Sequence, residues 1–342
     1  MALLEIEDLC VEFGASRAPV TAVAHLDLAV EEGEIVGLVG ESGSGKSVTA
    51  LAVLGLVDFP GRVSVRRMRF DGRDLLALHA RERRELLGGE LAMIFQDPHG
   101  SLDPCYTVEY QLAEALRLHG AASERTSRRA RRARMVELLR QVEIPDPEAR
   151  LRAYPHQLSG GMAQRVMIAM ALAGTPRLLI ADEPTTALDV TVQAQVLDLL
   201  ARLAVDRRMA LVLISHDLAV VAQTTHRVVV LYAGAAMEEG PVPDIFTAPR
   251  HPYTQALVES LPEHNLGKRR LAALPGIVPG AHDRPRACLL APRCPYVRQR
   301  CTTIAPPFDG PPARRSRCHF PLDAQGRPGN DWASAEPVRR SA

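Results

Sequence analysis

Four sets of side chains in this sequence have the types and spacing for chemistry. The first, Gly40-Glu41-Ser42-Gly43-Ser44-Gly45-Lys46-Ser47, fits the spacing G-x-x-x-x-G-K-S/T and runs into Val48. Its glycines let the backbone wrap close to an anion, and N–H groups at the start of a following helix point at that anion. Lys46 has the reach for the β- and γ-phosphates of a nucleotide, and the Ser47 hydroxyl suits Mg²⁺. Lys46 and Lys268 are the only lysines; every other permanent side-chain cation is arginine. A compact ammonium is therefore kept where a planar guanidinium would not fit between phosphate oxygens. The second set is Leu178-Leu179-Ile180-Ala181-Asp182-Glu183, an apolar run ending in two acids. Asp182 is placed to hold Mg²⁺ through its water shell, and Glu183 to polarise an attacking water as general base. The third, Leu158-Ser159-Gly160-Gly161-Met162-Ala163-Gln164-Arg165, precedes an apolar helical segment. A serine and two glycines at a helix start form either a second anion site or an N-cap with a flexible turn. The fourth is Cys288, Cys294, Cys301 and Cys318; Cys10 and Cys105 stand apart.

The elements that must position these groups follow from patterning. Ile35-Val36-Gly37-Leu38-Val39 is a continuous apolar run, which predicts a buried strand leading into the glycine-rich loop and then a helix over 47–56. Two further short buried strands are expected at 178–181 and 210–214, another at 91–95, and helices through 110–142. Strand, loop and helix alternate, so the expected fold is α/β with a parallel core sheet covered by helices. Leu3, Ile6, Leu9, Val11 and Phe13, then Leu26, Leu28 and Val30, alternate with polar residues and predict an N-terminal antiparallel β-subdomain. A helical subdomain is expected at about 97–170. The composition shifts near residue 262, and from about 322 to 342 apolar residues are few, so a disordered tail is expected there.

Bulk properties exclude several classes. A net charge of +1 argues against a nucleic-acid protein driven by charge. No stretch approaches the ~18 consecutive apolar residues of a transmembrane helix. The acidic start lacks the basic and apolar regions of a signal peptide, so a cytosolic chain is expected. In that compartment four thiols spaced C-x5-C-x6-C-x16-C point to a metal rather than to disulfides. The spacing fits neither zinc pairs nor ferredoxin runs and leaves the metal open. The arginine run Arg128, Arg129, Arg131, Arg132 and Arg134 has acids beside it and no interleaved aromatics, which reads as a solvated helix face.

Taken together, the loop, the Asp182-Glu183 strand and the Ser159 segment resemble the ABC ATPase family. The resemblance extends to its other motifs. Gln96, in Ile94-Phe95-Gln96-Asp97-Pro98, is similar to the family's Q-loop glutamine, which touches Mg²⁺ or the attacking water and reports nucleotide state to the membrane subunits. Ala187-Leu188-Asp189 resembles the D-loop, His216 the switch histidine at the γ-phosphate, and Phe13 the aromatic that stacks on adenine, with a strand-core role as its plain alternative. The residues Ser159, Gly160, Gly161 and Gln164 resemble the signature motif. In this family the phosphate loop of one chain faces the signature of a partner, with two ATP molecules between them, so catalysis is implied to need Lys46, Gln96, Glu183 and His216 together with a partner chain.

The segments at 154–171, 182–195 and 248–254 resemble the dipeptide/oligopeptide permease branch. That resemblance covers about residues 1–320. It implies an ATPase domain over 1–262 and a C-terminal extension over 263–321. It also implies a bacterial importer at the cytoplasmic face of the inner membrane. Its partners would be two transmembrane permease subunits, a second ATPase that is often a paralogue, and an extracytoplasmic substrate-binding protein; no nucleic acid is expected. Some members bind a 4Fe–4S cluster in the extension, which makes that cluster the expected occupant of the four cysteines, with structural zinc as the alternative. Nickel, metallophore or haem import by the same architecture is a second reading. A soluble ABC ATPase is a third, disfavoured by the single cassette and the lack of a coiled-coil insert.

Overall fold

A computed structural model of the chain describes residues 2–14, 19–186, 188–261, 274–280, 282–329 and 331–338. The expected boundary at 262–263 and Ala187 of the D-loop lie outside the described residues. The chain forms two compact units that interleave in sequence: Met1–Leu4, Ala29–Ile35 and Arg69–Ile214 in one, Glu5–Leu28, Val36–Met68 and Ser215–Ala342 in the other. The sequence reading divides the chain consecutively instead. The units follow a different division because strands distant in sequence share their hydrogen bonds.

In the first unit the apolar runs form strands Leu91–Ile94, Leu178–Asp182 and Ala210–Ser215. They pair in parallel, Leu91 opposite Leu178 and Leu178 opposite Ala210. Every residue of the latter two is buried, as continuous hydrophobic runs in a two-sided parallel sheet must be. Helices Val108–His119, Arg128–Gln141, Gly160–Ala171 and Val190–Arg207 belong to the same unit. The first two begin at Thr107 and Ser127, whose hydroxyls accept backbone N–H bonds at the helix start. Three arginines of the basic run are tied locally: Arg131 to the Glu124 and Arg125 carbonyls, Arg132 to Glu109, and Arg134 to Glu137. Two of the five, Arg132 and Arg134, thus pair with acids of the same unit.

The second unit holds most of strands Leu4–Phe13 and Val20–Val30, which are hydrogen-bonded neighbours, and Arg62–Ser64 pairs antiparallel with the first of them. Asp8, Cys10 and His25 converge on this sheet, but His25 Nδ1 faces both the Asp8 carboxylate, at 2.6 Å, and the Cys10 sulfur, at 3.7 Å. One ring nitrogen serves both, so no Cys–His–Asp relay exists, and the exposed His25–Asp8 hydrogen bond accounts for the cluster. Strand Ile35–Val39, wholly buried, pairs in parallel with Arg227–Tyr232. That strand is antiparallel to Ala235–Pro241, which pairs with Arg315–Ser316. The expectation of a disordered tail is corrected at the described residues from 322 onward. Leu322 is buried and its N–H donates to the Arg250 carbonyl. The Trp332 indole N–H donates to the Tyr296 carbonyl at 2.8 Å, and the Arg298 guanidinium lies 3.7 Å over its ring. A single large amphipathic ring anchors a segment whose polar composition hides it from a hydrophobicity count.

Candidate nucleotide site and cysteine cavity

The phosphate loop follows strand Ile35–Val39 and opens helix Lys46–Leu54. At Gly40, with φ 153°, an added Cβ would lie 2.1 Å from the Leu231 carbonyl oxygen, so backbone contact excludes any side chain there. Lys46 is only 4% exposed, and its ammonium donates to the Gly40 and Glu41 carbonyls at 2.8 and 3.2 Å. The Ser44 hydroxyl is buried with no hydrogen-bond partner. A buried hydroxyl without a partner costs free energy that an anion in the loop would relieve. Ser47 and Val48 are half-buried, and Ser42 and Gly43 are exposed. The sequence-predicted loop residues thus lie together between the strand and the helix, with Lys46 folded back onto the loop carbonyls. Phe13 is half-buried at the end of its strand, with its ring edge against Gly61. His216 is exposed and precedes Asp217, which caps helix Leu218–Thr224.

In the first unit Asp182 is buried at the end of its strand. Glu183 adopts a left-handed φ of 44°, held by its N–H bond to the Ile214 carbonyl. A non-glycine residue in that conformation is strained, and the strain aims its carboxylate. Glu183 Oε2 accepts from the Gln96 side-chain amide at 3.1 Å and from the Thr186 hydroxyl at 3.0 Å. The two residues read separately as base and Q-loop glutamine therefore touch. Thr186 is a contact the sequence reading missed; within the quoted motif nothing marked it out.

Ser159 is the N-cap of helix Gly160–Ala171, its hydroxyl accepting from the Met162 N–H at 3.3 Å. At Gly161 an added Cβ would fall 2.7 Å from Val192 Cγ1, so the glycine lets helix Val190–Arg207 approach. Asp189 caps that second helix, accepting from Val192 N–H at 3.0 Å. Gln193 donates to the Thr185 and Leu188 carbonyls and fixes the turn between strand and helix. Gln164 is buried, and its amide nitrogen has no hydrogen-bond partner. The described motif residues of this unit thus form one packed corner.

The four cysteines line a single cavity with His251 and Phe320 among its walls. All four are free thiols, and no three of their sulfurs lie within 4.8 Å of one another. A tetrahedral zinc would draw four thiolates to roughly 3.8 Å apart. Burial and the neighbouring cysteines push the Cys294 and Cys318 thiols up to about 12. These are buried groups arranged around a common space, wider than a bare zinc ion needs.

A further constellation had no signal in the sequence. Arg293, beside Cys294, donates through Nη1 to both carboxylate oxygens of Glu41, at 3.1 and 3.3 Å, and to the Tyr232 hydroxyl at 3.4 Å. Its Nε and Nη2 donate to the Pro275 and Leu274 carbonyls. The Tyr253 hydroxyl accepts from the Glu41 backbone N–H at 3.0 Å.

Comparison with known proteins agrees with this geometry. The ABC transporter family model matches residues 23–186, and the model of the oligopeptide/dipeptide transporter C-terminal region matches residues 237–301. The chain is 56% identical to the dipeptide transport ATP-binding protein DppD of Escherichia coli K12, over 96% of this chain and 99% of that one. It is 54% identical to DppD of Haemophilus influenzae, over 96% and 98%. The peptide transport system ATP-binding protein SapD of Salmonella typhimurium is 45% identical, over 95% and 99%. Among solved structures, the dimeric ATP-binding cassette MJ0796 in a post-hydrolysis state with ADP and Pi aligns with a TM-score of 0.61 and 27% identity, covering 70% of this chain and 98% of that one. On this identity and these family matches, the chain belongs to the ABC-type ATPases, in the branch of the dipeptide/oligopeptide transporter ATP-binding subunits.

Proposed function

We propose that this chain is the ATP-hydrolysing subunit of an importer that carries dipeptides or oligopeptides across the cytoplasmic membrane. The observation that carries the reading is identity over nearly the whole length, C-terminal extension included, to dipeptide transport ATP-binding proteins. The proposed partners are two transmembrane permease subunits, a second ATPase, which we take to be a paralogue, and an extracytoplasmic substrate-binding protein. The chain would sit on the cytoplasmic face of the membrane; no described helix is long and apolar enough to cross one.

The roles follow the chemistry of the residues. Residues 40–48 wrap the phosphates of ATP, and the orphaned Ser44 hydroxyl and the Lys46 ammonium have phosphate oxygens to bind. Ser47, Asp182 and Gln96 would hold Mg²⁺, which would supply charge neutralisation on the phosphates. Glu183 takes the proton of the attacking water, oriented by its bonds from Gln96 and Thr186. His216 contacts the γ-phosphate, and Phe13 stacks on adenine. Ser159, Gly160, Gly161, Gln164 and Asp189 serve the nucleotide of the partner ATPase. That division makes hydrolysis depend on two chains, so ATP closes the pair and its cleavage releases it.

Cys288, Cys294, Cys301 and Cys318 would hold a 4Fe–4S cluster rather than zinc. The support is their wide sulfur spacing around one cavity and the absence of a disulfide among them. A cluster bonded to four thiolates cross-links a loop-rich extension that has little core of its own. Purification from its host without oxygen, with the chain tagged, tests both parts. Two membrane proteins and a second ATPase should co-purify, and the sample should absorb broadly at about 400 nm from thiolate–iron charge transfer. Recovery of ribosomes or DNA alone would overturn the transport reading, and stoichiometric zinc without iron would overturn the cluster.

A further inference from the structure

The Arg293 constellation joins the cysteine-bearing extension to the phosphate loop through contacts inside one compact unit. Glu41 is the second residue of the loop, and three of its groups are engaged. Its carboxylate accepts two bonds from Arg293, its N–H donates to the Tyr253 hydroxyl, and its carbonyl accepts from Lys46 Nζ. Arg293 is in turn fixed by three further acceptors and by the Tyr232 ring, with its guanidinium carbon 5.7 Å from the ring centre. Its side chain is 7% exposed. Its own N–H and that of Cys294 both donate to the Leu290 carbonyl, and the Cys288 N–H donates to the Cys301 carbonyl. An unbroken series of hydrogen bonds and short turns therefore runs from the cysteine cavity to the Lys46 ammonium.

We propose that Arg293 is a positioning residue for the nucleotide site: through Glu41 it holds the phosphate loop in its anion-binding form, so the extension sets the affinity for ATP. The proposal rests on the nucleotide reading given above. Its physical basis is preorganisation. A loop whose backbone is fixed beforehand loses less conformational freedom on taking up phosphate. A guanidinium whose Nη1 reaches both oxygens of the carboxylate, and whose other nitrogens are held by backbone carbonyls, is directional enough to do this, where a solvated surface pair is not. Removing the Glu41 charge leaves a buried guanidinium without its carboxylate, and removing Arg293 frees the loop.

The test is a double-mutant cycle on the full-length chain with its co-purified subunits, using Arg293→Met, Glu41→Gln and the pair. Arg293→Met should raise the KM for ATP about three- to thirty-fold with kcat at saturating ATP unchanged, Glu41→Gln should raise KM by a similar factor, and the pair should be no worse than the more severe single. Glu41→Gln leaves the extension intact, so it reads the link even if Arg293→Met unfolds the cysteine turn. Unchanged KM in Glu41→Gln, or additive losses in the pair, would overturn the proposal. A wild-type chain that binds no ATP would instead reject the nucleotide reading on which it rests.

Discussion

Replacing Glu183 with glutamine is expected to lower ATP turnover by about a hundred- to ten-thousand-fold, the range for loss of a general base. The substitution is nearly isosteric and keeps an oxygen to accept from Gln96 and Thr186. Nucleotide binding should therefore survive, and the variant should accumulate as a closed, ATP-loaded pair. Phosphate release measures the first effect and gel filtration with ATP the second. The left-handed backbone at Glu183 gives the prediction its edge: the carboxylate is held in one direction at a conformational cost. A variant that turns over at the normal rate would remove Glu183 from the chemistry.

The second large effect is expected at Lys46. Lys46→Ala should cut turnover by about a hundred- to a thousand-fold, as for other removed charge-stabilising donors, and should weaken binding of a fluorescent ATP analogue. Lys46→Arg should not restore either property. Lys46 is 4% exposed and its ammonium nitrogen lies 2.8 Å from the Gly40 carbonyl oxygen, which leaves no room for a planar five-donor group. Full activity in the arginine variant would refute the steric argument.

What the sequence made legible was what local chain order controls. The phosphate loop reads directly, because the strand before it, its glycines and the helix after it are all neighbours in sequence. The strand ending at Asp182 reads for the same reason. The parallel core was legible because continuous apolar runs of five or six residues separated by helices have few alternative folds. What stayed hidden depends on pairs distant along the chain. Gln96 and Glu183 were named separately, but only folding shows one amide bonded to one carboxylate. Gly161 reads as a flexible turn until Val192 arrives beside it. The Arg293–Glu41 pair joins residues on either side of nearly the whole core sequence, and arginine is so common here that one more carries no signal. Trp332 was missed for the opposite reason: it is the sole tryptophan, but its polar neighbours outweighed it in the composition of its window.

The scarcity of lysine has a practical consequence for anyone labelling this protein. An amine-reactive reagent meets two side-chain amines in the sequence, Lys46 and Lys268. One of them is buried in the loop and bonded to its carbonyls. Acylation at Lys46, followed peptide by peptide, therefore becomes a footprint of loop occupancy with almost no background, and the same paucity leaves random amine cross-linking nearly blind to the rest of the surface.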